Sequence, residues 1–135
     1  MRAEVDHAIK QLEEITGKKF DYDKLAEVMH NSNQTAYWWK KAYSLGAKNP
    51  SPLSGFDMFN YMAVAVCMRG KKEGAELFKL WHDELLAKSE AGLGPWKEGE
   101  EEKYRVLWDG IACWPNLSFT FKTLKKYGIN MVVST

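Results

Sequence analysis

The sequence predicts an α-rich α/β fold, in which a helical domain is followed by a partial Rossmann-like β-α-β unit. Two observations lead to this prediction. Apolar residues recur at helical spacing through residues 1–95, with breaks at glycine or proline. After a glycine- and charge-rich stretch the pattern changes to short apolar runs that are separated by one helical segment. We therefore predict a helical domain at 1–95, an acidic linker at 96–103 and a partial α/β unit at 104–135.

The composition excludes several classes of function. The chain has 135 residues, enough for one modest core, and 19 basic against 18 acidic residues. A net charge of +1 gives no electrostatic basis for binding nucleic acid or an anionic membrane. No apolar run reaches the ~18 residues of a membrane span. The first 17 residues are amphipathic and acidic, unlike a signal peptide. We expect a cytoplasmic protein that binds neither nucleic acid nor membrane.

Four helices are expected in the helical domain. The first ends at Gly17 and has a stripe of apolar residues: Val5, Ala8, Ile9, Leu12 and Ile15. The second begins at an aspartate N-cap near Asp21 and ends by Gly46. A third, FDMFNYMAVAVCMRG, is apolar nearly all round, which predicts burial on several sides. The fourth ends before the linker and carries one apolar face: Leu77, Leu80, Trp81 and Leu85.

The segment KNPSPLSG separates the second and third helices. Its two prolines donate no backbone hydrogen bonds and disfavour helix at the preceding residues. Ser51 and Ser54 fit turn and capping roles, because no base lies nearby in sequence to make either one a nucleophile.

The predicted α/β unit consists of a strand, a helix and a second strand. The strand formers begin at Tyr104, the helix spans 117–127 with Gly128 as its C-cap, and the second strand covers 129–133. The run Glu98 to Glu102 before it is typical of a solvated linker. Two strands rarely form a stable sheet alone. We therefore expect either that the chain is a piece of something longer, or that another chain completes the sheet, including self-association through the unpaired strand edge.

The candidate binding site is the loop that follows the first strand. Ligands of open α/β sheets bind beyond the carboxyl ends of the strands, and here that loop is Ala-Cys-Trp-Pro-Asn at 112–116. Asn116 is a good N-cap, and the N–H groups after it can receive an anion or a carbonyl oxygen. Trp114 offers a flat wall for a ligand. The alternative is that Pro115 and Asn116 only start a helix while Trp114 fills the core.

The sequence predicts neither a metal site nor a catalytic residue in this chain. Cys67 and Cys113 fit no zinc spacing, and the histidines have no second ligand three or four positions away. Cys113 lies in the candidate loop, although a semi-buried structural thiol is the commoner role. Cys67, in an apolar helix, is expected to pack in the core.

At PSPLSGFDMF, at KYRVLWDGIACWPNL and at NMVVST, the chain resembles the 2-hydroxyacyl-CoA dehydratases, which share a superfamily with the benzoyl-CoA reductase subunits. The resemblance is to the middle of one subunit and covers essentially the whole chain. The segments that carry the resemblance occur in the order helical insert, acidic linker and strand Arg105–Gly110, and this strand leads into a Trp-Pro loop.

The resemblance implies an enzyme of anaerobic amino-acid fermentation built from two related subunits. It implies a 4Fe–4S cluster that is held by three cysteines and leaves one iron open to the thioester carbonyl. An ATP-dependent iron–sulfur activator would inject one electron, the 2-hydroxyl would leave from a ketyl radical, and an enoyl-CoA would form as the electron is recovered.

The resemblance also directs attention to the loop 111–116, which should face the substrate cleft. We expect Trp114 and Asn116, together with Cys113, to line the acyl-CoA path as contacts. The chain has only two cysteines, so we expect the cluster ligands to lie outside it and the chain alone to have neither a cluster nor activity. The alternatives are a benzoyl-CoA-reductase-type subunit and a helical binding or assembly module.

Overall fold

A computed structural model describes residues 2–134 of the chain. Met1 and Thr135, the outermost residues of the predicted units 1–95 and 104–135, lie outside the described residues. The described part is an α-rich α/β fold, as predicted. Its helices and strands, in chain order, are α1 (Arg2–Thr16), α2 (Tyr22–Ser44), α3 (Gly55–Cys67), α4 (Lys72–Glu90), β1 (Tyr104–Trp108), α5 (Leu117–Lys126) and β2 (Ile129–Ser134).

Local signals set the ends of the first two helices as predicted. Gly17 follows α1 in the left-handed region at φ +67°. Asp21 is the N-cap of α2, and its Oδ1 accepts a hydrogen bond of 2.8 Å from the Lys24 backbone N–H. A short 3-10 turn, Leu45–Ala47, then closes α2.

The segment between α2 and α3 is a packed loop that lies inside the fold. Ser51 and Leu53 are fully buried, and the Ser51 hydroxyl donates to the Leu53 carbonyl oxygen at 2.9 Å. Ser54 caps α3 in a capping box, in which its backbone N–H donates to Asp57 Oδ2 at 3.0 Å. The predicted turn and capping roles of the two serines are confirmed.

The expectation that α3 is buried on several sides is wrong for one of its faces. Met58 and Phe59 are buried, whereas Ala63 and Val66 are exposed. Within residues 2–134, α3 packs against α2, α5 and β2, and its Tyr61 ring stacks on Trp81 of α4. These neighbours leave the side of Ala63 and Val66 open. An apolar composition all round a helix therefore shows that several sides can be buried, while neighbouring elements decide which sides are.

Helix α4 packs against α2 and carries the largest buried side chains of the core. Its buried face consists of Gly74, Phe78, Trp81 and Leu85. Leu80, which we predicted to be on this face, is 66% exposed. The correction follows from helix geometry, because positions 74, 78, 81 and 85 keep the spacing of one face and position 80 lies about 100° away from position 81.

An aromatic cluster joins α2, α3 and α4 in the core. The rings of Tyr61 and Trp81 stack with centroids 3.9 Å apart, and Trp39 stacks on Phe78 at 5.9 Å. The Tyr43 hydroxyl donates to the Met58 carbonyl oxygen at 2.9 Å. Burial raises the pKa of Tyr43 above its ordinary value of 10.0, with Trp39 acting in the opposite direction.

The two strands form a parallel pair, as the strand–helix–strand pattern predicts. Tyr104 lies opposite Ile129 and Val106 opposite Met131, and an irregularity in register follows at Leu107. Gly128, in the left-handed region at φ +72°, ends α5 as predicted. Met131 is buried beneath α3 and α5, so these helices cover one face of the pair.

The last residue of the predicted acidic run is not solvated. The Glu102 side chain is 2% exposed, and its Oε1 lies 3.1 Å from Nη1 of Arg105. Its Oε2 accepts hydrogen bonds from the Ser51 backbone N–H at 3.0 Å and from Asn130 Nδ2 at 3.2 Å. The interpretation of Glu102 as part of a solvated linker is therefore wrong. A run of acidic residues in the sequence does not show that the Asn130 amide and the Arg105 guanidinium contact its last carboxylate. The three-part division of the chain stays a prediction.

Candidate functional site

The candidate site is the loop after β1, at the carboxyl end of the parallel pair. Asp109 and Gly110 follow the strand directly, and Gly110 has φ +93°, a conformation that side-chain-bearing residues rarely adopt. Ala112 of this loop is buried and holds the loop against the core. The 3-10 turn Trp114–Asn116 follows and leads into α5, whose first residue, Leu117, is also buried. Two buried residues thus hold an otherwise exposed loop.

Trp114 lies partly on the surface of this loop. Its ring packs edge-on against Phe59, with centroids 5.7 Å apart and planes at 71°. Phe59 in turn contacts Trp108 at 6.1 Å and Phe121 at 6.1 Å, so the aromatic base beneath Trp114 is well supported. Trp114 is nevertheless 48% exposed. The ring therefore has one supported edge and retains surface that can contact a ligand, and it is only partly the core residue of the alternative interpretation.

Asn116 occupies the N-cap position of α5, as predicted, without capping through its side chain. Its side chain makes no cap hydrogen bond, and the residue is exposed. The backbone closes the turn instead: Asn116 N–H donates to the Cys113 carbonyl oxygen at 3.0 Å, and Leu117 N–H donates to that of Trp114. The Asn116 amide therefore keeps donors and an acceptor that the helix does not use.

Both cysteines are free and exposed, which differs from the expected packing roles. Cys67 falls on the open face near the end of α3, and Cys113 lies in the candidate loop. Within residues 2–134, no group of three His, Cys, Asp or Glu side chains is placed to hold a metal ion. The prediction that this chain carries no metal ligands stays a prediction.

Two exposed apolar residues were not among the predicted contacts, although the first of them lies in the predicted loop 111–116. Ile111 is 87% exposed, and Phe119, in the first turn of α5, points away from the core side marked by Leu117 and Phe121. Together with Trp114 they place three large apolar side chains in solvent within nine positions. Exposed apolar groups of this kind are typical of binding surfaces. The signal in the sequence was a phenylalanine on the polar face of a short amphipathic helix.

Trp114 and Asn116 can contact a ligand, but they cannot transfer a proton to or from it. An indole face and an amide can hold an apolar group and a neighbouring oxygen, but neither side chain titrates near neutral pH. These features define the class of the chain, an α-rich α/β protein with a candidate ligand-contact loop at the carboxyl end of a parallel strand. No helix within residues 2–134 has both the length and the apolar character that crossing a membrane requires.

Comparison with known proteins specifies the family. The family model described as 2-hydroxyglutaryl-CoA dehydratase, D-component, matches residues 1–135. The chain therefore belongs to this family, and the suspected resemblance is confirmed.

Individual relatives agree with this assignment. The chain is 48% identical to the (R)-phenyllactyl-CoA dehydratase alpha subunit of Clostridium sporogenes over 99% of its own length and 32% of that protein. It is 49% identical to the (R)-2-hydroxyisocaproyl-CoA dehydratase alpha subunit of Clostridioides difficile, over 99% of this chain and 33% of the relative. Identity to a benzoyl-CoA reductase subunit of Thauera aromatica is 26%, over 96% of this chain and 31% of the relative. The chain thus spans about a third of the length of the curated relatives it matches.

Proposed function

We propose that this chain is part of a 2-hydroxyacyl-CoA dehydratase subunit, an enzyme that removes water from a 2-hydroxyacyl-CoA to give an enoyl-CoA. The observation that carries the proposal is the identity of 48% and 49% to two alpha subunits of such dehydratases along 99% of the chain. The lower identity of 26% to the benzoyl-CoA reductase subunit favours dehydration over ring reduction. Cytoplasmic localisation and a role in anaerobic amino-acid fermentation belong to the same proposal.

Within that enzyme, the loop after β1 is proposed to contact the acyl-CoA. The exposed part of the Trp114 ring would pack against the flexible thioester arm, because a flat apolar surface restrains such a chain at little entropic cost. The Asn116 amide, which makes no cap bond, would donate to a carbonyl or phosphate oxygen. Cys113 is exposed beside them and would serve as a contact. These roles are binding roles, and no residue of this chain is assigned to the chemical step.

The residues of this chain do not fit the iron–sulfur cluster that the dehydratase proposal implies. Such a cluster needs three thiolates, whereas the chain has two cysteines, one on α3 and one in the loop after β1. We therefore propose that cluster ligands lie outside residues 1–135 and that this chain alone is inactive. Iron and sulfide in stoichiometric amount in the purified chain would contradict this.

A related second subunit and an ATP-dependent iron–sulfur activator are the proposed partners. The names of the relatives support the first, because each is called an alpha subunit. Co-purification of the complete polypeptide with a subunit of related sequence tests this proposal. A complete polypeptide that dehydrates a 2-hydroxyacyl-CoA as a single subunit would overturn it.

The contact role of the loop is tested with Trp114→Ala in the complete enzyme. We expect the KM for the 2-hydroxyacyl-CoA to rise about tenfold, on the order of the loss of one aromatic contact, with a smaller change in kcat. Tyr127→Ala is the matched control, because Tyr127 is also an exposed aromatic residue but lies at the far end of α5. An unchanged KM for Trp114→Ala would show that the ring only packs on Phe59.

A helical binding or assembly module is the second candidate. The observation that favours it is the exposure of apolar residues on α1 and on the first half of α2, among them Leu12, Ile15 and Met29. Loss of a co-purifying partner chain on deletion of α1 from the complete polypeptide would support this role, and unchanged co-purification would contradict it.

A further inference from the structure

A small cavity lies on the side of α5 that faces the start of α3 and the segment Pro95–Trp96. Its volume is about 200 Å³, and the side chains that define its character are Phe56, Trp96, Ser118, Phe121, Lys122 and Lys125. None of the proposed acyl-CoA contacts, Cys113, Trp114 and Asn116, lines it. The proposed acyl-CoA contacts therefore do not account for this cavity.

Three aromatic rings form the apolar walls. Phe56 meets Phe121 edge to face with centroids 6.2 Å apart, and Trp96 also lines the cavity. A cavity of roughly 150 Å³ with apolar walls is enough to bind benzene. A space of about 200 Å³ therefore accommodates one ring or a branched chain of similar size together with a short polar group.

The two lysines of the cavity differ in whether a neighbouring carboxylate compensates their charge. Lys125 Nζ donates to the Pro95 carbonyl oxygen at 2.6 Å, lies 3.0 Å from Glu100 Oε2 and sits 5.7 Å from the centroid of the Trp96 ring. Glu100 thus offsets its charge. Lys122 is exposed and has no hydrogen bond or ion pair with any residue in the described part of the chain. The uncompensated charge of the cavity is therefore a single cation.

Two other polar residues in the wall are engaged within the fold. Ser54 Oγ donates to Asp57 Oδ2 at 2.8 Å, and Asn130 Nδ2 donates to the Leu53 carbonyl oxygen and to Glu102. These two groups offer no free donors.

Trp96 Nε1, in contrast, is buried in the wall without a hydrogen-bond partner among the described residues. Ser118 is exposed at the cavity. A ligand can therefore pair a negative charge with Lys122, offer an acceptor to Trp96 Nε1 and place an apolar body between the rings.

We propose that this cavity binds a small monoanionic carboxylate with an aromatic or compact branched apolar body. The carboxylate pairs with Lys122 at the mouth, and the body lies among Phe56, Trp96 and Phe121. A neutral molecule of the same shape lacks the ion pair, and a polyanion meets only one uncompensated cation. The proposal goes beyond the dehydratase function, since it requires only a binding equilibrium at residues that the acyl-CoA proposal does not use.

The test is a titration of the complete polypeptide with 3-phenylpropionate, followed by calorimetry. We expect saturable one-to-one binding that becomes about fivefold weaker in Lys122→Gln, the upper end of what an exposed ion pair contributes. Lys126→Gln is the matched control, because Lys126 is an exposed cation of the same helix that does not line this cavity. It should bind like the unchanged protein.

Two further measurements separate the contribution of the ligand's negative charge from that of the apolar cavity. The neutral analogue 3-phenylpropanamide should bind less tightly than the carboxylate by a similar factor, and Ser118→Phe, which places a ring at the mouth, should abolish binding of both. Absence of saturable 3-phenylpropionate binding, equal binding of the amide, or equal losses in Lys122→Gln and Lys126→Gln would each overturn the proposal. All readouts are of binding, so they do not depend on dehydratase activity.

Discussion

Two regions of the molecule are built from similar amphipathic helices but differ in what those helices bury. The central core joins buried residues of α4, of the second half of α2 and of the loop 48–54 in one cluster, in which Leu53 and Phe78 have no exposed surface. The N-terminal region, residues 2–30, consists of α1 and the start of α2, and α1 has no buried residue. Helical spacing of apolar residues therefore specifies that a helix forms, whereas burial requires a second element opposite the apolar face.

Polar groups differ between the two regions in the same way. In the central core, Thr35 is buried and its hydroxyl donates to the Asn31 carbonyl oxygen at 2.9 Å. In the N-terminal region, the side chains of the Lys24–Glu27 ion pair, 2.8 Å apart, are both exposed. Exposed pairs exchange freely with water and contribute little, while a buried polar group without a partner is costly. Substitutions should therefore have graded effects on the free energy of unfolding.

The largest effect is expected at the centre of the core. Phe78→Ala removes a fully buried ring that stacks on Trp39, and we expect a loss of about 4 kcal/mol in the free energy of unfolding, measured by urea denaturation. The matched control is Leu80→Ala on the same helix, where the side chain is exposed and the change should stay within about 0.5 kcal/mol. Equal losses in the two variants would break the assignment of the buried face of α4.

A smaller loss is expected where a buried charge joins the core to the strands. Glu102→Ala leaves the Arg105 guanidinium and the Ser51 N–H without their shared acceptor. We expect about 2 kcal/mol, less than for a fully buried pair because Arg105 is itself partly exposed. Glu101→Ala removes the neighbouring exposed carboxylate and should be nearly neutral in the same denaturation experiment. A neutral Glu102→Ala would restore the interpretation of a solvated linker.

The pH dependence of the free energy of unfolding extends this comparison to Tyr43. Its pKa is raised by burial, so above the ordinary value of 10.0 the unfolded chain loses the phenolic proton while the folded chain retains it. Stability from this residue is complete below pH 10 and falls as the pH rises towards the raised value. Tyr43→Phe should cost about 1 kcal/mol at pH 7 through the lost bond to Met58.

The same variant should also show a shallower decline in stability above pH 10 than the unchanged chain, in a series of denaturation curves. The control is Tyr127→Phe, which replaces an exposed tyrosine and should leave both quantities unchanged. An identical decline in Tyr43→Phe would mean that Tyr43 does not contribute to it.

The smallest effect is expected in the N-terminal region. Leu12→Ala removes an apolar side chain that is 58% exposed, and the free energy of unfolding of this 135-residue chain should change by no more than about 0.5 kcal/mol. A loss above 1 kcal/mol that grows with protein concentration would show that α1 packs against a second copy. That result would remove the distinction between the two regions.

Much of the local structure was predictable because its causes lie close together in sequence. Gly17 and Gly128 end helices in a conformation that glycine adopts at low cost, and Asp21 and Ser54 satisfy backbone N–H groups three residues ahead. The strand–helix–strand pattern at the end of the chain specified a parallel pair, which the structure has. The position of the candidate loop at the carboxyl end of β1 followed from that pairing.

The tertiary structure decided which of these surfaces are covered and which side chains meet across long separations. Glu102 became buried because residues 51 and 130, far from it in the chain, converge on its carboxylate. Leu80 and Cys67 became exposed because no element of the described chain packs on their sides of α4 and α3. The cavity beside Lys122 exists because residues from α3, α5 and the segment before β1 come together. Sequence periodicity records which face of an element is apolar, while the partner of that face is set by contacts between residues that are distant along the chain.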